Sequence, residues 1–201
     1  MKKVFLLLAL ALALPAAAFA GSSVDFSNSG GTLTGSSGDF SLTGSTLIAV
    51  NGYNGGGLIT GSNLGTVTFT TPGLSTGSLQ MGGTFGAGGS FTITANGTDG
   101  LNGTLFSGTF TSGTWTMVTL ANGTHNYTLT GVLTGTLGSG YSTNGVTVQL
   151  TINTGKGFFN GSTRISSGDT TVTVPEPGSL GLFGTGLLGV AGLIRRKIKL
   201  S

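Results

Sequence analysis

Apolar and polar residues alternate with a period of two along much of the chain between residues 21 and 174. Valine, leucine and isoleucine alternate with threonine and glutamine over residues 146–152, and phenylalanine and isoleucine alternate with threonine over residues 91–95. Shorter copies of the pattern occur at residues 39–43, 66–70 and 172–174. Such alternation predicts half-buried strands, with the β-branched threonines on the exposed face.

The turn signals agree with a strand-rich body. The dipeptide Asn-Gly, which favours tight hairpins, begins at Asn51, Asn96, Asn102, Asn122, Asn144 and Asn160. The sequence therefore predicts an all-β domain, an antiparallel β-sandwich of about ten to fourteen short strands. A recurring Gly-Thr-apolar-Thr pattern, as at residues 65–68, leaves a β-solenoid as the alternative.

The first twenty residues have the pattern of a secretory signal peptide. Lys2 and Lys3 precede an apolar run from Val4 to Leu14, and small residues at Ala18 and Ala20 suit both subsites of a signal peptidase. We expect residues 1–20 to be removed, so that the mature chain begins at Gly21. An uncleaved anchor is the alternative, although the apolar run is short for one.

The last part of the chain predicts a single transmembrane helix over residues 179–194. The run Leu180–Ile194 has no charged side chain, and it is followed by Arg195, Arg196, Lys197 and Lys199. Residues 178–194 would span about 25 Å as a helix, and long basic side chains can reach the rest of the bilayer. These four basic residues predict a membrane stop on the cytoplasmic side, with the body on the other side.

These residues carry a specific resemblance. Pro175-Glu176-Pro177, the Leu/Gly-rich helix and the basic tail 195–201 together resemble the PEP-CTERM sorting signal, here spanning residues 171–201. The resemblance implies that Pro175, Glu176 and Pro177 are the recognition motif of an exosortase-type membrane transpeptidase. It also implies an exopolysaccharide-producing Gram-negative bacterium and an inner-membrane intermediate. Residues 21–170 are then the Gly/Ser/Thr-rich β domain that reaches the cell surface or extracellular matrix.

Charge and cysteine content exclude several classes of function. The chain has a formal net charge of +3, but six of its eight lysines and arginines lie in the two terminal segments. The body has four aspartates, one lysine and one arginine, too few cations for a nucleic-acid partner. The chain has no cysteine, which excludes thiol catalysis and thiolate metal sites. A disordered stalk is the competing interpretation of the glycine content, but twelve phenylalanines argue against it.

Residues with catalytic or metal-binding chemistry are scarce. His125 is the only histidine and Glu176 the only glutamate, so we expect no catalytic site, no metal and no cofactor. His125 lies beside a predicted turn and is expected on the surface or at a strand edge. Asn96, Asp99 and Asn102 could form a weak calcium site, but a polar hairpin loop explains them better.

Aromatic residues offer a possible glycan-binding site within the body. Trp115, Tyr127 and Tyr141 could stack on sugar rings if they lie exposed on one sheet face. Against this, Trp115 alternates with threonine and shares a face with Met117, a pattern typical of a core tryptophan. The pattern therefore favours a core position for Trp115, with a weak glycan contact as the alternative.

The sequence as a whole predicts a non-catalytic, structural or adhesive protein of the cell surface or exopolysaccharide matrix. The expected partners are signal peptidase, an exosortase, the membrane before processing, and exopolysaccharide or another glycan. A glycan-binding module is the main alternative. A periplasmic protein held permanently in the inner membrane and a hydrolase are further alternatives.

Overall fold

The computed structural model describes residues 22–36 and 39–174, and within them Ser23–Val174 forms one compact unit. Twelve strands account for most of it, within the predicted number. The strands are β1 (Ser22–Ser29), β2 (Thr32–Ser36), β3 (Asp39–Asn51), β4 (Ile59–Thr70), β5 (Leu74–Ser78), β6 (Gly82–Phe85), β7 (Gly88–Asn96), β8 (Asn102–Thr119), β9 (His125–Leu137), β10 (Ser142–Asn153), β11 (Ser162–Arg164) and β12 (Ser167–Val174).

Eight of the strands form a closed ring. Their order is β1-β12-β10-β9-β8-β7-β4-β3, and β3 pairs back onto β1 with Phe26 opposite Val50. The other four strands extend from the ring: β2 pairs with β3, β11 with β2, β6 with β8, and β5 with β6. The protein is therefore an antiparallel barrel with added strands.

The closed ring corrects the finer part of the fold prediction. A sandwich has two separate sheets packed face to face, whereas here one sheet closes through the β1–β3 pair. The solenoid alternative does not fit either, because the adjacent strands pair antiparallel. The all-β class is confirmed. The predicted signal peptide and transmembrane helix lie outside the described residues.

The strands alternate between the barrel interior and the outer surface as the sequence pattern predicts. Along β10, Val146, Val148, Leu150 and Ile152 are buried, and the residues between them are exposed. The interior contains two aromatic groups. The phenylalanine cluster consists of Phe69, Phe85, Phe91, Phe106 and Phe110, with neighbouring ring centroids 5.6–6.2 Å apart. The tryptophan cluster consists of Phe40, Trp115, Tyr127 and Phe159.

Paired glycines make room for these rings. Gly108 lies opposite Gly135, and Gly113 lies opposite Gly131, across the β8–β9 pair. A Cβ atom on Gly131 would overlap the Phe110 ring and lie 2.9 Å from Cγ1 of Val148. The phenylalanine cluster thus fills space that glycine leaves free, and it covers backbone that has no side chain of its own.

This packing gives a direct prediction. Gly131→Ala should lower the free energy of unfolding by about 1–3 kcal/mol, because the added methyl group overpacks the interior. Gly86→Ala is the matched control, since no atom lies within 4 Å of its Cβ position. Urea denaturation of both variants measures the difference. An equal effect of the two substitutions would show that the interior can accommodate the methyl group.

The sequence has seven Asn-Gly dipeptides, since Asn54-Gly55 also has this sequence; five lie at turns or loops between strands, and two do not. Asn102-Gly103 lies inside β8, and Asn144-Gly145 forms a bulge in β10, where the register with β9 shifts. Gly145 has a φ of 74°, the left-handed conformation that a glycine in a bulge adopts readily. The dipeptide therefore marks positive-φ backbone in this protein, whether or not a hairpin follows.

Candidate functional site

The predicted sorting and processing residues lie outside the described residues. These are Pro175, Glu176, Pro177, Arg195, Arg196, Lys197, Lys199, Ala18, Ala20 and Gly21. The described chain shows what precedes the motif: β12 continues to Val174, and Val172 is fully buried. The β domain therefore extends to residue 174, four residues beyond the predicted boundary at 170.

The structure places Trp115 in the barrel interior. Its indole is 1% exposed, and it stacks on Tyr127 at 4.9 Å with an interplanar angle of 18°. Its Nε1–H donates a hydrogen bond to the carbonyl oxygen of Leu79 at 2.8 Å. Neither face of the indole is free for a sugar ring, which agrees with the core interpretation.

Tyr127 is also buried, and it holds two loops together. Its hydroxyl donates to the carbonyl oxygen of Gln80 at 2.7 Å and accepts a hydrogen bond from the Phe159 backbone N–H at 3.1 Å. The alternation of β9 places it inward, since His125, Leu129 and Leu133 on the same face are buried too. The Tyr127 ring is therefore buried and cannot stack on a sugar.

Tyr141 alone of the three candidates is open to solvent. It is 48% exposed and follows the turn between β9 and β10, where its carbonyl oxygen accepts a hydrogen bond from the Leu137 N–H at 2.9 Å. The structure thus separates Tyr141 from the buried Trp115–Tyr127 pair. The three predicted residues therefore do not form a common aromatic surface.

A second exposed aromatic ring was not identified from the sequence. Phe158 is 50% exposed and stacks on His125, with the ring centroids 4.6 Å apart and an interplanar angle of 14°. His125 is only 9% exposed, and its Nδ1 lies 3.0 Å from the hydroxyl oxygen of Thr119. The predicted surface position of His125 is therefore wrong, because Phe158 covers it. Phe158 follows β10 in an irregular segment, where no periodic pattern could show its placement.

The polar residues around Asp99 stabilise a turn through hydrogen bonds to backbone groups. Asn96 Oδ1 accepts a hydrogen bond from the Thr98 N–H at 3.1 Å, and Asn96 Nδ2 donates to the carbonyl oxygen of Asn63 at 3.0 Å. Asp99 itself adopts a φ of 54°. These contacts support the hairpin-loop interpretation. Within residues 22–36 and 39–174, no three histidines, aspartates or glutamates lie close enough to hold a metal ion.

Outward hydroxyls form continuous rows across the strands. Thr116, Thr128 and Thr151 lie side by side on β8, β9 and β10. A parallel row contains Thr84, Thr114, Thr130 and Gln149. Strand spacing places neighbours about 4.8 Å apart, and the Thr128 and Thr151 hydroxyl oxygens are 3.3 Å apart. We call these two sets the threonine rows.

The ends of the described chain meet at one mouth of the barrel, which we call the terminal mouth. β1 begins there beside the end of β3, with Asp25 opposite Asn51. β12 ends there beside the start of β10, since Thr171 lies opposite Thr147. Ser27 Oγ also donates a 2.7 Å hydrogen bond to Asp169 Oδ1, which joins β1 to β12 directly.

Tyr53 lies at the terminal mouth, in the connection between β3 and β4. Its ring lies 6.3 Å from that of Phe26, and a Cβ atom on Gly138 would come within 2.6 Å of its hydroxyl oxygen. The side chain therefore joins the β3–β4 connection to the β9–β10 turn. Burial raises the pKa of Tyr53 above its ordinary value of 10.0.

This pKa shift predicts a small alkaline destabilisation. Below pH 10.0 the phenol is protonated in both states, and above it the unfolded chain ionises first. The free energy of unfolding should therefore decrease as pH rises through the pKa of the folded state. In Tyr53→Phe this decrease should be shallower, as urea midpoints between about pH 8 and pH 11 would show. Identical slopes in the two proteins would contradict the assignment.

Within the described ranges, no helix has both the length and the apolar character needed to cross a membrane. Comparison with curated proteins gave no match, and comparison with solved structures gave none either. A family model, the PEP-CTERM protein-sorting motif, matches residues 173–197. The match begins within β12, so the sorting signal follows the barrel without an intervening linker. It also contains the Pro175-Glu176-Pro177 triplet. The chain is therefore a PEP-CTERM domain-containing protein, and its motif implies export and processing by an exosortase.

Proposed function

We propose that the barrel is a structural or adhesive component of the cell surface or exopolysaccharide layer, and that it has no catalytic activity. The protein passes through an inner-membrane intermediate in a Gram-negative bacterium before its release to that layer. The observation that carries this proposal is the presence of the threonine rows on the outer face of the barrel. The first row presents aligned hydroxyls on β8, β9 and β10, and the second presents them on β6, β8 and β9.

Hydroxyl rows suit a hydrated polysaccharide partner. Each threonine both donates and accepts hydrogen bonds, as sugar hydroxyls do. Because the ring of eight strands is curved, a flexible polymer can follow its outer face more closely than a flat solid surface can. Formal charge is low, with four aspartates, one lysine and one arginine among residues 22–174. Little electrostatic repulsion therefore opposes close contact with a polymer of either sign.

The proposed absence of catalysis is supported by the environment of His125. Its ring is covered by Phe158, and its Nδ1 faces a threonine hydroxyl. A catalytic triad would require a carboxylate to orient the imidazole.

The proposal is tested by binding of the purified protein to exopolysaccharide isolated from the producing cells. Thr→Val substitutions at residues 116, 128 and 151 remove three hydroxyls and keep the side-chain shape. We expect a partial loss of binding from this variant, because many weak contacts contribute. A second variant with valine at residues 66, 94 and 104 removes a further row of threonines, which lies on β4, β7 and β8. Combining the two should reduce binding further.

A specific glycan-binding module would behave differently. The half-exposed rings of Tyr141 and Phe158 are the observation that favours it, because an aromatic face can stack on a sugar. Under this alternative, alanine at one of these two positions abolishes binding, and the valine variants bind normally. Release of reducing ends from the polysaccharide by the purified protein would contradict both proposals.

A further inference from the structure

The fold holds most of the Asn-Gly dipeptides in a fixed backbone. In four of the five that lie in connections, the glycine N–H donates a hydrogen bond of 2.8–3.1 Å to a backbone carbonyl oxygen. The donor–acceptor pairs are Gly52–Gly56, Gly55–Gly52, Gly97–Leu101 and Gly123–Leu120. The two dipeptides that begin at Asn102 and Asn144 lie within β8 and β10, each of which pairs with a strand on both sides.

The dipeptide Asn160-Gly161 is held less firmly. It lies in the connection between β10 and β11, and the Asn160 side chain is exposed. Among the residues that the structure describes, neither the Asn160 amide nor the Gly161 N–H has a hydrogen-bond partner. The carbonyl oxygen of Gly161 does accept a bond, from the Gly35 N–H at 2.8 Å. The side-chain amide and the glycine N–H are therefore adjacent, and neither has a bond within the described chain that must first break.

These two groups can react with each other. Asparagine is a thermolabile residue, and a following glycine has no side chain to hinder attack by its own nitrogen. The Gly161 nitrogen loses its proton and bonds to Cγ of Asn160, and ammonia leaves, which closes a cyclic succinimide. Water then opens the ring at either carbonyl and gives aspartate or isoaspartate. A hydrogen bond from the glycine N–H opposes the first step, because the attacking nitrogen must give up that proton.

We propose that Asn160 is a site of spontaneous deamidation in the folded protein, and that the fold protects the other six Asn-Gly dipeptides. The only reactant besides the chain is water. Each conversion adds one negative charge near neutral pH. The new carboxylate lies midway along the sequence between Lys156 and Arg164, the only two cations among residues 22–174.

Isoaspartate also changes the backbone. It lengthens the main chain by one atom next to Gly161, whose carbonyl oxygen bonds to the Gly35 N–H. This bond lies beside the pairing of β2 with β11, in which Ser162 is opposite Thr34. We expect the modification to weaken that pairing. The charge and the β11 edge of the barrel therefore change with the age of the protein, independently of the proposed function.

Peptide mapping of the folded full chain in detergent tests the proposal. Trypsin cuts after Lys156 and Arg164, so it releases residues 157–164 as one peptide with a single asparagine. The protein is incubated in mildly alkaline buffer, and mass spectrometry follows the replacement of the amide by a carboxyl group. A second digestion, with a protease that cuts after aromatic residues, separates the other dipeptides. The matched control is the same incubation in urea, which removes the protecting hydrogen bonds.

In the folded chain we expect Asn160 to convert several-fold faster than any other Asn-Gly dipeptide, and in urea we expect the seven rates to converge. Isoelectric focusing should show an acidic form that Asn160→Gln lacks and Asn122→Gln retains. Faster conversion at another dipeptide, such as the one in the β10 bulge, would overturn the proposal. Equal rates at all seven sites of the folded chain would also overturn it, as would a 157–164 peptide that converts only in urea.

Discussion

Replacing Trp115 by alanine should lower the free energy of unfolding by about 3–5 kcal/mol, which is the range for removing a large buried aromatic side chain. The indole is 1% exposed and lies 4.6 Å from the ring of Phe40 and 5.4 Å from that of Phe159. Its loss leaves a cavity at the centre of the tryptophan cluster. It also leaves the Leu79 carbonyl oxygen without its donor. Urea denaturation followed by circular dichroism measures the effect.

Two further variants test whether the loss of stability in Trp115→Ala comes from removal of a buried ring. Trp115→Phe keeps part of the aromatic packing but loses the indole N–H and some ring volume, so we expect a smaller cost of about 1–3 kcal/mol. Tyr141→Ala removes a half-exposed ring and should change stability by less than about 0.5 kcal/mol. If Trp115→Ala were as mild as Tyr141→Ala, the burial of the tryptophan would be in doubt. If Trp115→Ala stayed folded and lost glycan binding alone, the sugar-stacking interpretation would regain support.

Changing Pro175, Glu176 and Pro177 together to alanine should abolish C-terminal processing. Proline fixes its own φ and disfavours helix at the preceding residue, so the sequence of the triplet disfavours helix at this point of the chain. Alanines allow helix to extend toward Val174 and remove the charged side chain of the motif. Intact-mass measurement should then find chains that still end at Ser201 in the membrane fraction. The wild-type chain should end near the motif and reach the surface or the medium.

The matched control for the motif is Thr171→Ala with Thr173→Ala. Both side chains are exposed on β12, immediately before the motif, and neither contributes to the buried core. Normal processing of this variant would show that the triplet, and not the adjacent strand, is recognised. Normal processing of the triple-alanine chain would contradict the exosortase assignment. A wild-type chain that keeps residues 180–201 would instead favour a permanent membrane anchor.

Much of the secondary structure could be predicted from local patterns. Alternation over residues 146–152 predicted a strand with one buried face, and β10 has that arrangement. Closure of the sheet could not be predicted in this way. It depends on β1 pairing with both β3 and β12, and nothing in the sequence of residues 22–29 specifies two partners so far apart along the chain. Sequence alternation reports which face is buried, and a barrel and a sandwich share that signal.

Prediction of the candidate site has the same limit: alternation shows which residues are buried, but it does not show contacts between distant segments. The alternation of Trp115 with threonine favoured the core, and the structure agrees. For Tyr127 the same argument was available from Leu129 and Leu133, two and six residues later on the same face. Burial of His125 depends on Phe158, which approaches from another segment. Such contacts between distant loops leave no periodic trace in the sequence.

Closure of the ring has a consequence for self-association of the protein at high concentration. Strand edges are where folded β proteins associate into aggregates, and net charge is the usual protection against this. Here the body has little charge, but the eight ring strands have neighbours on both sides. Of the added strands, β5 has five residues and a register irregularity, and β11 has only three residues. Closure of the sheet therefore leaves few unpaired strand edges in the described barrel, which should limit edge-to-edge association of copies despite the low charge.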